Sequence, residues 1–350
     1  MKKVANIIFV TICAIVVLVP VLLFNGKPDQ ISVTENRRLA ELDSPKEGVS
    51  TFMKSVDSYV NDRIGFRDQA VQLYRQVTIR YLNYRHDQVV VGDHGWLFYC
   101  EELPDYTGTN HSKDTIERYI AILKQIDTWC KQRDIQFVFA VGPNKSSIYS
   151  EYMPGYVKQT EVSLLDALME RAEQEDLLMV CPKQELLAHK NEQELYMRLD
   201  THWNSLGSRY MLDQLTEALS LPAVDIPVSA TQTSEGDLKG MLGIGDIGVV
   251  SVTAGVPIAD GASIEIIPDS YHRVIHSENT ESVICYRDSF TTALENYYTH
   301  YFNGTLYWNF AIQFDKVENE KPKYLILECV ERYLSPAMES NAQVLSWNME

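Results

Sequence analysis

Strand-like and helix-like segments alternate from residue 114 onward, and this alternation constrains the fold more than any other feature of the sequence. Helical spacing of apolar residues marks segments that begin near residues 114, 164, 211 and 293. Apolar runs typical of buried strands lie between them, at 135–141, 177–181, 195–199, 283–286 and 324–330. Strands separated by helix-length segments require a mostly parallel sheet that is covered on both faces. We therefore predict an α/β fold, with a three-layer α/β/α sandwich around that sheet.

The first of these helices is expected to begin at Asp114. The Asp114 carboxylate can cap the helix while Glu117 reaches back to the first turn. Its buried face is predicted from apolar residues at helical spacing, namely Ile116, Tyr119, Ile120, Leu123 and Ile126.

An apolar stretch fills the first 24 residues, behind Lys2 and Lys3. About twenty such residues span the hydrocarbon core of a bilayer. Residues 20–26 offer no small-x-small site for a signal peptidase. The sequence therefore predicts an uncleaved, single-pass transmembrane signal anchor over residues 1–24, with the rest of the chain on the extracytoplasmic side of the membrane.

The residues after this stretch divide into two predicted regions. Residues 25–85 combine a linker with a pair of juxtamembrane helices that break near Gly65. Residues 86–350 form the main domain, which opens with a strand, a tight turn and a second strand over 89–98. Within it, residues 221–281 lose the alternation, which indicates an inserted loop or a small β-subdomain.

Charge and cysteine content exclude two classes of protein. The 31 Lys and Arg residues against 48 Asp and Glu give a net charge of −17, so a nucleic-acid-binding surface is not expected. The six cysteines include no C-x-x-C pair. Because Cys181, Cys285 and Cys329 lie in apolar runs, we expect buried free thiols and not a disulfide framework.

Asp200 and His202 form the first candidate catalytic pair. Two residues that are two apart at the end of a strand face the same side. The Asp200 carboxylate can then accept a hydrogen bond from one ring nitrogen of His202, which fixes the tautomer and leaves the other nitrogen as a base. A capping aspartate beside a structural histidine is the alternative interpretation.

Ser289 lies where the apolar run at 283–286 meets the predicted helix over 293–302. Backbone N–H groups at such a junction favour a developing oxyanion, and a sharp turn exposes the hydroxyl at the carboxyl edge of the sheet. A capping serine is also common there. What favours catalysis is the combination, because strand-end Ser289 and the strand-end Asp200–His202 pair would meet along one edge of a parallel sheet.

These two segments resemble a known family. Asp200-Thr201-His202-Trp203 and Asp288-Ser289-Phe290 are similar to motifs of the SGNH-hydrolase-like proteins of the alginate O-acetyltransferase type, which carry acetyl groups to bacterial polysaccharides outside the cytoplasm. The chain order Asp, His, Ser is that of the alginate acetyltransferase group and the reverse of ordinary SGNH esterases. Other motifs agree in order: Glu35-Asn36-Arg37, Asp62-Arg63-Ile64-Gly65-Phe66-Arg67, residues 91–98, Gly142-Pro143-Asn144-Lys145 and Gly236-Asp237-Leu238.

By this resemblance Ser289 would be the nucleophile, His202 its base and Asp200 the orienting acid. Asn144 follows a predicted strand, where an oxyanion donor would fit. Lys145 beside it is a candidate cation for the substrate, or a solvated loop residue.

Arg287 stands where the family has glycine. It would then face an acidic sugar or support the site.

The implied activity is transfer of an acetyl group through an acetyl-serine onto a polysaccharide acceptor. Acetyl-CoA is not available outside the cytoplasm, so the resemblance implies a membrane-bound O-acyltransferase partner as the acetyl donor. No cofactor and no metal is expected. An acetyl esterase and a non-catalytic scaffold of an envelope polysaccharide complex remain alternatives, although a complete Asp–His–Ser set argues against the scaffold.

Three further patterns have weaker interpretations. The G-x-G-x-x-G match at 243–248 precedes a β-branched run and not a helix, so it is not expected to bind a dinucleotide. A metal site that adds His94, His111 or His276 to the Asp200–His202 pair lacks metal-ligand spacing. Several aromatic residues either pack in the core or stack on sugar rings, and packing is the expected role: Tyr297, Tyr298, Tyr301, Tyr307 and Trp308.

Overall fold

The computed structural model describes most of the chain: residues 2–25, 31–32, 37–67, 69–71, 73–74, 86–245, 248–268 and 270–347. The motif residues Glu35 and Asn36, residues 75–84 of the predicted juxtamembrane helices, and residues 246 and 247 of the G-x-G-x-x-G match lie outside the described residues. The chain forms two compact units, one of residues 1–89 and 237–248, the other of residues 90–236 and 249–350. Asp200, His202 and Ser289 all belong to the second unit.

The principal elements follow in chain order. The helices are α1 (Lys2–Leu22), α2 (Val49–Arg63), α3 (Leu103–Thr107), α4 (Lys113–Lys131), α5 (Lys145–Ile148), α6 (Leu164–Gln174), α7 (Lys183–His189), α8 (Ser205–Ala218), α9 (Asp237–Leu242), α10 (Glu295–Tyr298), α11 (Phe314–Glu320) and α12 (Leu334–Trp347). The strands are β1 (Ile31–Ser32), β2 (Arg37–Arg38), β3 (Val89–Val91), β4 (Leu97–Tyr99), β5 (Gln136–Gly142), β6 (Met179–Val180), β7 (Ser229–Thr233), β8 (Ser251–Gly255), β9 (Ser263–Ile266), β10 (Arg273–His276), β11 (Ser282–Arg287), β12 (Asn303–Trp308) and β13 (Tyr324–Val330).

In the first unit, α1 and α2 are joined at their carboxyl ends. The Asn25 N–H donates to Arg63 O at 2.9 Å, and the Gly65 N–H donates to Pro20 O at 2.8 Å. Helix α2 ends at Arg63 because Ile64 is extended, in agreement with the break predicted near Gly65. Among the residues that the structure describes, no helix is long and apolar enough to cross a membrane. The signal anchor predicted over residues 1–24 is therefore not supported.

A seven-stranded mixed sheet forms the centre of the second unit, with the order β6-β5-β13-β11-β12-β10-β9. Strands β6, β5, β13, β11 and β12 run parallel, whereas β10 and β9 add an antiparallel edge. The predicted α/β fold with a mostly parallel sheet is confirmed. Segment 221–281 contributes the antiparallel edge strands β9 and β10, and it also contains β7, which pairs with β8 in a separate two-stranded sheet.

The two faces of the sheet carry two separate hydrophobic clusters, as a three-layer fold requires. Along β5, Phe137 and Phe139 point into one cluster and Val138 and Ala140 into the other. Helices α4, α6 and α12 cover the first face, and α8 with α10 covers the second. Burial of apolar area on both faces stabilises the sheet at roughly 25 cal/mol per Å². All six cysteines fall within the described residues and are free, and the buried ones are the three predicted, Cys181, Cys285 and Cys329, together with Cys130.

Three local predictions are wrong. Helix α4 begins at Lys113 and is capped by Ser112, whose Oγ accepts from the Thr115 N–H at 3.2 Å, so Asp114 is not the cap. Glu117 accepts from Arg171 on α6 and does not reach back to the first turn. The helix predicted over 293–302 is a 3₁₀ turn, Phe290–Ala293, followed by the single-turn α10.

The run at 195–199 is buried but is not a strand. Its only ladder contact among the described residues is an isolated bridge between Tyr196 and Trp203. Leu195, Tyr196 and Leu199 are fully buried because the segment folds back on itself within the core. An apolar run alone does not distinguish such a segment from a buried strand.

Strand β12 was not predicted. It contains Gly304 at φ +157°, and a Cβ at that position would lie 1.9 Å from Val283 O on β11. The close approach of the two strands requires a residue without a side chain, and glycine weakens the sequence pattern of a strand.

Candidate active site

Asp200 and His202 lie in a tight turn, and backbone hydrogen bonds set their geometry. The Met197 N–H donates to His202 O at 3.1 Å, which closes the turn. Asp200 Oδ1 accepts the His202 N–H at 2.9 Å, so the carboxylate curls over the turn toward the imidazole. This local bond, and not the alternation of a strand, brings the two side chains to the same side.

Ser289 lies directly after β11, in a turn that Asp288 holds. Asp288 Oδ1 accepts the Phe290 N–H and Oδ2 accepts the Val330 N–H, each at 2.8 Å. The backbone then enters the 3₁₀ turn Phe290–Ala293, with Ser289 at its N-cap position. The Ser289 hydroxyl makes no capping bond, so the interpretation of Ser289 as a capping serine does not hold.

The structure brings Asp200, His202 and Ser289 into one hydrogen-bonded chain. Asp200 Oδ1 lies 2.6 Å from His202 Nδ1, and His202 Nε2 lies 2.7 Å from Ser289 Oγ. A carboxylate only accepts, so the Asp200 contact places the proton on Nδ1 and leaves the lone pair of Nε2 for the serine hydroxyl. The arrangement can therefore take a proton from Ser289 and generate an alkoxide-like nucleophile.

Asp200 and Ser289, the two ends of this series of hydrogen bonds, both line a cleft of about 280 Å³. The His202 side chain is 26% exposed, so a substrate can reach it without displacing the core. The cleft is lined by Met197, Asp200, His202, Trp203, Asn204, Ser205, Thr253, Ser289, Phe290, Thr292 and Ala293. None of His94, His111 or His276 belongs to this lining, and both ring nitrogens of His202 already have hydrogen-bond partners.

Comparison with known proteins gives one family match. Residues 89–250 match the family described as SGNH hydrolase-like domain, acetyltransferase AlgX. Over these residues the chain is similar to the AlgX-type SGNH hydrolase-like family. The resemblance predicted from the sequence is confirmed. The match includes Asp200 and His202 and ends before Ser289.

Individual relatives match the chain at low identity. The probable alginate O-acetylase AlgJ of Pseudomonas putida is 23% identical over 174 residues, which are 48% of this chain and 43% of that protein. The chain thus spans less than half the length of that relative. The structure of PatB1 from Bacillus cereus superposes with a TM-score of 0.53 at 13% identity, covering 71% of this chain and 98% of that one. A DHHW family protein from Eubacterium siraeum gives the same TM-score and identity over 73% of this chain and 98% of that one. These two likenesses show the fold.

Aromatic packing fixes the turn that carries Ser289. Trp203 Nε1 donates to Phe290 O at 2.9 Å, and the two rings lie 5.0 Å apart. A Cβ on Gly142, at the end of β5, would lie 2.9 Å from the Phe290 ring and 3.1 Å from the Trp203 ring. A side chain at position 142 would displace these two rings, which support the turns that carry His202 and Ser289. The position therefore requires glycine.

Lys145 is fully buried and supports the Asp200–His202 turn from behind. Its ammonium donates to Met197 O at 3.1 Å and to Asp200 O at 2.5 Å, and Arg198 O lies at 3.4 Å. The side chain is not part of the cleft lining. Lys145 thus contacts the turn and not the solvent, and its ammonium donates to backbone carbonyls that would have paired with a neighbouring chain in a strand.

Asn144 is buried beside the same turn, with its polar groups engaged inside the protein. Its Nδ2 donates to Asp105 Oδ2 at 2.9 Å, and its Oδ1 accepts the Arg332 N–H at 3.2 Å. The Asn144 N–H donates to Glu331 Oε2 at 2.9 Å. No atom of Asn144 lines the cleft, so the structure does not place it with Asp200, His202 and Ser289.

Arg287 is buried directly before the turn that carries Ser289. Its Nη2 donates to Glu295 Oε1 at 2.7 Å, and its Nη1 donates to Asp288 O and to Thr292 Oγ1, each at 3.1 Å. The guanidinium therefore supports the site, as one of the two sequence interpretations proposed. The turn tolerates arginine in place of glycine because Arg287 is still the last residue of β11 and keeps extended backbone.

Glu328 is a buried polar residue that the sequence reasoning missed. Its Oε2 accepts from Thr291 Oγ1 at 2.6 Å and from the Asp288 N–H at 3.3 Å. These bonds join β13 to the turn that carries Ser289. Burial raises the pKa of the Glu328 carboxyl, and the nearby Asp288 carboxyl raises it further. A single acidic residue within the apolar run 324–330 was the signal that could have revealed it.

The Asp105 carboxyl, which accepts a hydrogen bond from Asn144, should make the stability of the protein depend on pH. Burial, followed by the Glu331 charge, raises its pKa from 3.8 to about 7. Between these values the native state holds a proton that the unfolded state has lost, so the free energy of unfolding falls as pH rises, by up to about 1.4 kcal/mol per pH unit from this group. Urea unfolding between about pH 4 and pH 7 should show this slope, and Asp105→Asn should reduce it.

The exposed Asp213 offers a matched control for this measurement. Asp213→Asn should keep the slope of the unmodified chain. An unchanged slope in Asp105→Asn would show that other carboxyl groups carry the pH dependence.

Proposed function

We propose that this chain is a serine-dependent O-acyltransferase that moves an acetyl group through an acetyl-serine onto a polysaccharide hydroxyl. The observation that carries the proposal is the continuous hydrogen-bonded chain from Asp200 through His202 to Ser289, open to a cleft. The relative named as a probable alginate O-acetylase supports the acetyl group and the polysaccharide. A scaffold without turnover would not need this geometry.

In the first half-reaction, Ser289 Oγ attacks the carbonyl carbon of the acetyl donor while its proton passes to His202 Nε2. The tetrahedral intermediate collapses, the bond to the leaving group breaks, and the leaving group takes the proton from Nε2. Asp200 stabilises the imidazolium that exists between these two transfers. The product is an acetyl ester on Ser289 and a free leaving group.

The second half-reaction runs the same steps with a sugar. An acceptor hydroxyl gives its proton to Nε2 and its oxygen attacks the acetyl carbonyl. The Ser289–acetyl bond then breaks and the proton returns to Oγ. Water in place of the sugar would give hydrolysis, so transfer and esterase activity differ only in the acceptor.

The backbone N–H of Ser289 is the best candidate donor to the oxyanion. It makes no hydrogen bond to any described part of the chain and lies at the amino end of the 3₁₀ turn Phe290–Ala293. A backbone donor that is fixed before the reaction stabilises the developing charge without reorganisation.

The acetyl donor and the location of the reaction are part of the same proposal. A polysaccharide that is acetylated after export meets the enzyme outside the cytoplasm, where acetyl-CoA is absent. We therefore propose an extracytoplasmic site that receives acetyl groups from a membrane-bound O-acyltransferase.

A transfer assay tests the proposed function. The full chain is incubated with para-nitrophenyl acetate and an oligosaccharide acceptor, and products are identified by mass. We expect an oligosaccharide that has gained an acetyl group. Release of acetate with no acetylated sugar would identify an esterase instead, and the absence of both reactions would favour a scaffold.

A further inference from the structure

Trp308 and Tyr271 form an exposed pair of rings, here called the aromatic platform. Trp308 is 41% exposed and Tyr271 is 70% exposed. Their ring centroids lie 5.7 Å apart, with the planes tilted by 45°. The other aromatic residues that the sequence suggested for sugar stacking are buried: Tyr297, Tyr298, Tyr301 and Tyr307. Of that group, Trp308 alone offers a face to a ligand.

The aromatic platform lies at the edge of the sheet that carries the nucleophile. Strands β11 and β12 are parallel neighbours, and Arg287 pairs with Trp308 at their carboxyl ends. Ser289 follows Arg287 by two residues. Trp308 and Ser289 thus lie at the carboxyl ends of adjacent strands, and Tyr271 joins Trp308 from the connection between β9 and β10.

The Arg287 guanidinium joins the platform to the cleft. Its central carbon lies 4.7 Å from the Trp308 ring centroid, and Nη2 donates to Tyr271 O at 3.4 Å. On its other side, Nη1 donates to Thr292, which lines the cleft. Because the guanidinium is buried and paired with Glu295, it holds the Trp308 ring in place and keeps its outer face open.

Tyr271 is held in an unfavourable conformation beside Trp308. Its φ of +54° lies in the left-handed region, which is rare for a bulky residue. Its carbonyl accepts from Arg287 and from Arg273 Nη1, the latter at 3.1 Å, and these bonds maintain the strain. Strained residues that the surroundings hold in place cluster at ligand sites.

We propose that the aromatic platform is the acceptor subsite, on which one pyranose ring of the polysaccharide stacks so that a hydroxyl of the chain reaches Ser289. This assignment rests on the proposed function. Two fixed aromatic faces match the apolar face of a sugar ring, and because the rings are already ordered, little entropy is lost on binding.

Binding of three defined hexasaccharides to the full chain tests the subsite. The probes are cellohexaose, chitohexaose and hexa-mannuronate, and the dissociation constants are measured by calorimetry. We expect at least one probe to bind the unmodified chain, Trp308→Ala to weaken that binding about tenfold, and Trp308→Phe to keep most of it. In the transfer assay, Trp308→Ala should lower the ratio of acetylated oligosaccharide to free acetate about tenfold.

Tyr156 provides the matched control, because it is an aromatic residue that is 65% exposed and does not line the cleft. Tyr156→Ala should bind the probes like the unmodified chain. The proposal is overturned if Trp308→Ala binds the probe unchanged, or if none of the three probes binds. Trp308-dependent binding in a chain that transfers no acetyl group would show a sugar site, and would overturn both the acceptor assignment and the proposed transferase. Transfer that is insensitive to Trp308 overturns the platform alone.

Discussion

Ser289→Ala is expected to reduce acetyl release from para-nitrophenyl acetate by at least about three orders of magnitude. The substitution removes the hydroxyl oxygen that lies 2.7 Å from His202 Nε2, where the imidazole can activate it. It should also abolish the acetylated form of the protein, because no ester can form at residue 289. Stopped-flow absorbance measures the first effect, and intact-protein mass measures the second.

Ser340→Ala is a suitable control for Ser289→Ala. Ser340 lies in α12, where its Oγ donates to Pro336 O at 2.7 Å. Its loss should leave both the rate and the acetylated form as they are. Equal rates in Ser289→Ala and the unmodified chain would place the nucleophile elsewhere and remove the basis of the proposed function.

Asp200→Asn is expected to lower the same rate by about 10²–10⁴-fold while the chain remains folded. The asparagine amide is nearly isosteric with the carboxylate, and its oxygen can still accept the backbone N–H of His202. It cannot stabilise the imidazolium as a carboxylate does, and it no longer selects the tautomer that leaves Nε2 free. The rate should therefore fall without a loss of secondary structure, which circular dichroism measures alongside the kinetics.

Asp213→Asn separates this effect from a general loss of negative charge. Asp213 pairs with Arg209 one turn away on α8 and is more than half exposed. Its substitution should change the rate by less than about twofold. If Asp200→Asn keeps the full rate, His202 does not depend on Asp200 for its orientation.

The α/β architecture could be predicted because the spacing of apolar residues identifies strands and helices, and their order along the chain indicates a parallel sheet. The runs 135–141, 283–286 and 324–330 became the buried strands β5, β11 and β13, since a strand covered on both faces is apolar throughout. The convergence of the Asp200–His202 pair with Ser289 was expected from two parallel strand ends, but only Ser289 follows a strand, and the pair reaches it from a turn in the core.

The errors arise where tertiary contacts override local pattern. The run at 195–199 has the apolarity of a strand, but Tyr196 bridges to Trp203 and Met197 O accepts from the buried Lys145 ammonium, and sequence does not reveal these contacts. Strand β12 contains Gly304, which is needed because β11 approaches too closely for a side chain, and this close approach is not visible in the sequence. The polar residues Asn144, Lys145 and Arg287 gave no sign of burial, because their partners are distant in sequence or are backbone carbonyls.

The pairing of Arg287 with Trp308 has a consequence for the pattern of modification. Backbone hydrogen bonds between β11 and β12 set Arg287 beside Trp308, and Ser289 follows Arg287 by two residues, so the proposed stacked sugar would lie at a set spacing from the proposed acetyl-serine. Such a spacing acts as a ruler, because a polymer that slides by one residue presents the same hydroxyl again. A regular polysaccharide would then be acetylated at one ring position along its length, with other hydroxyl groups left unmodified.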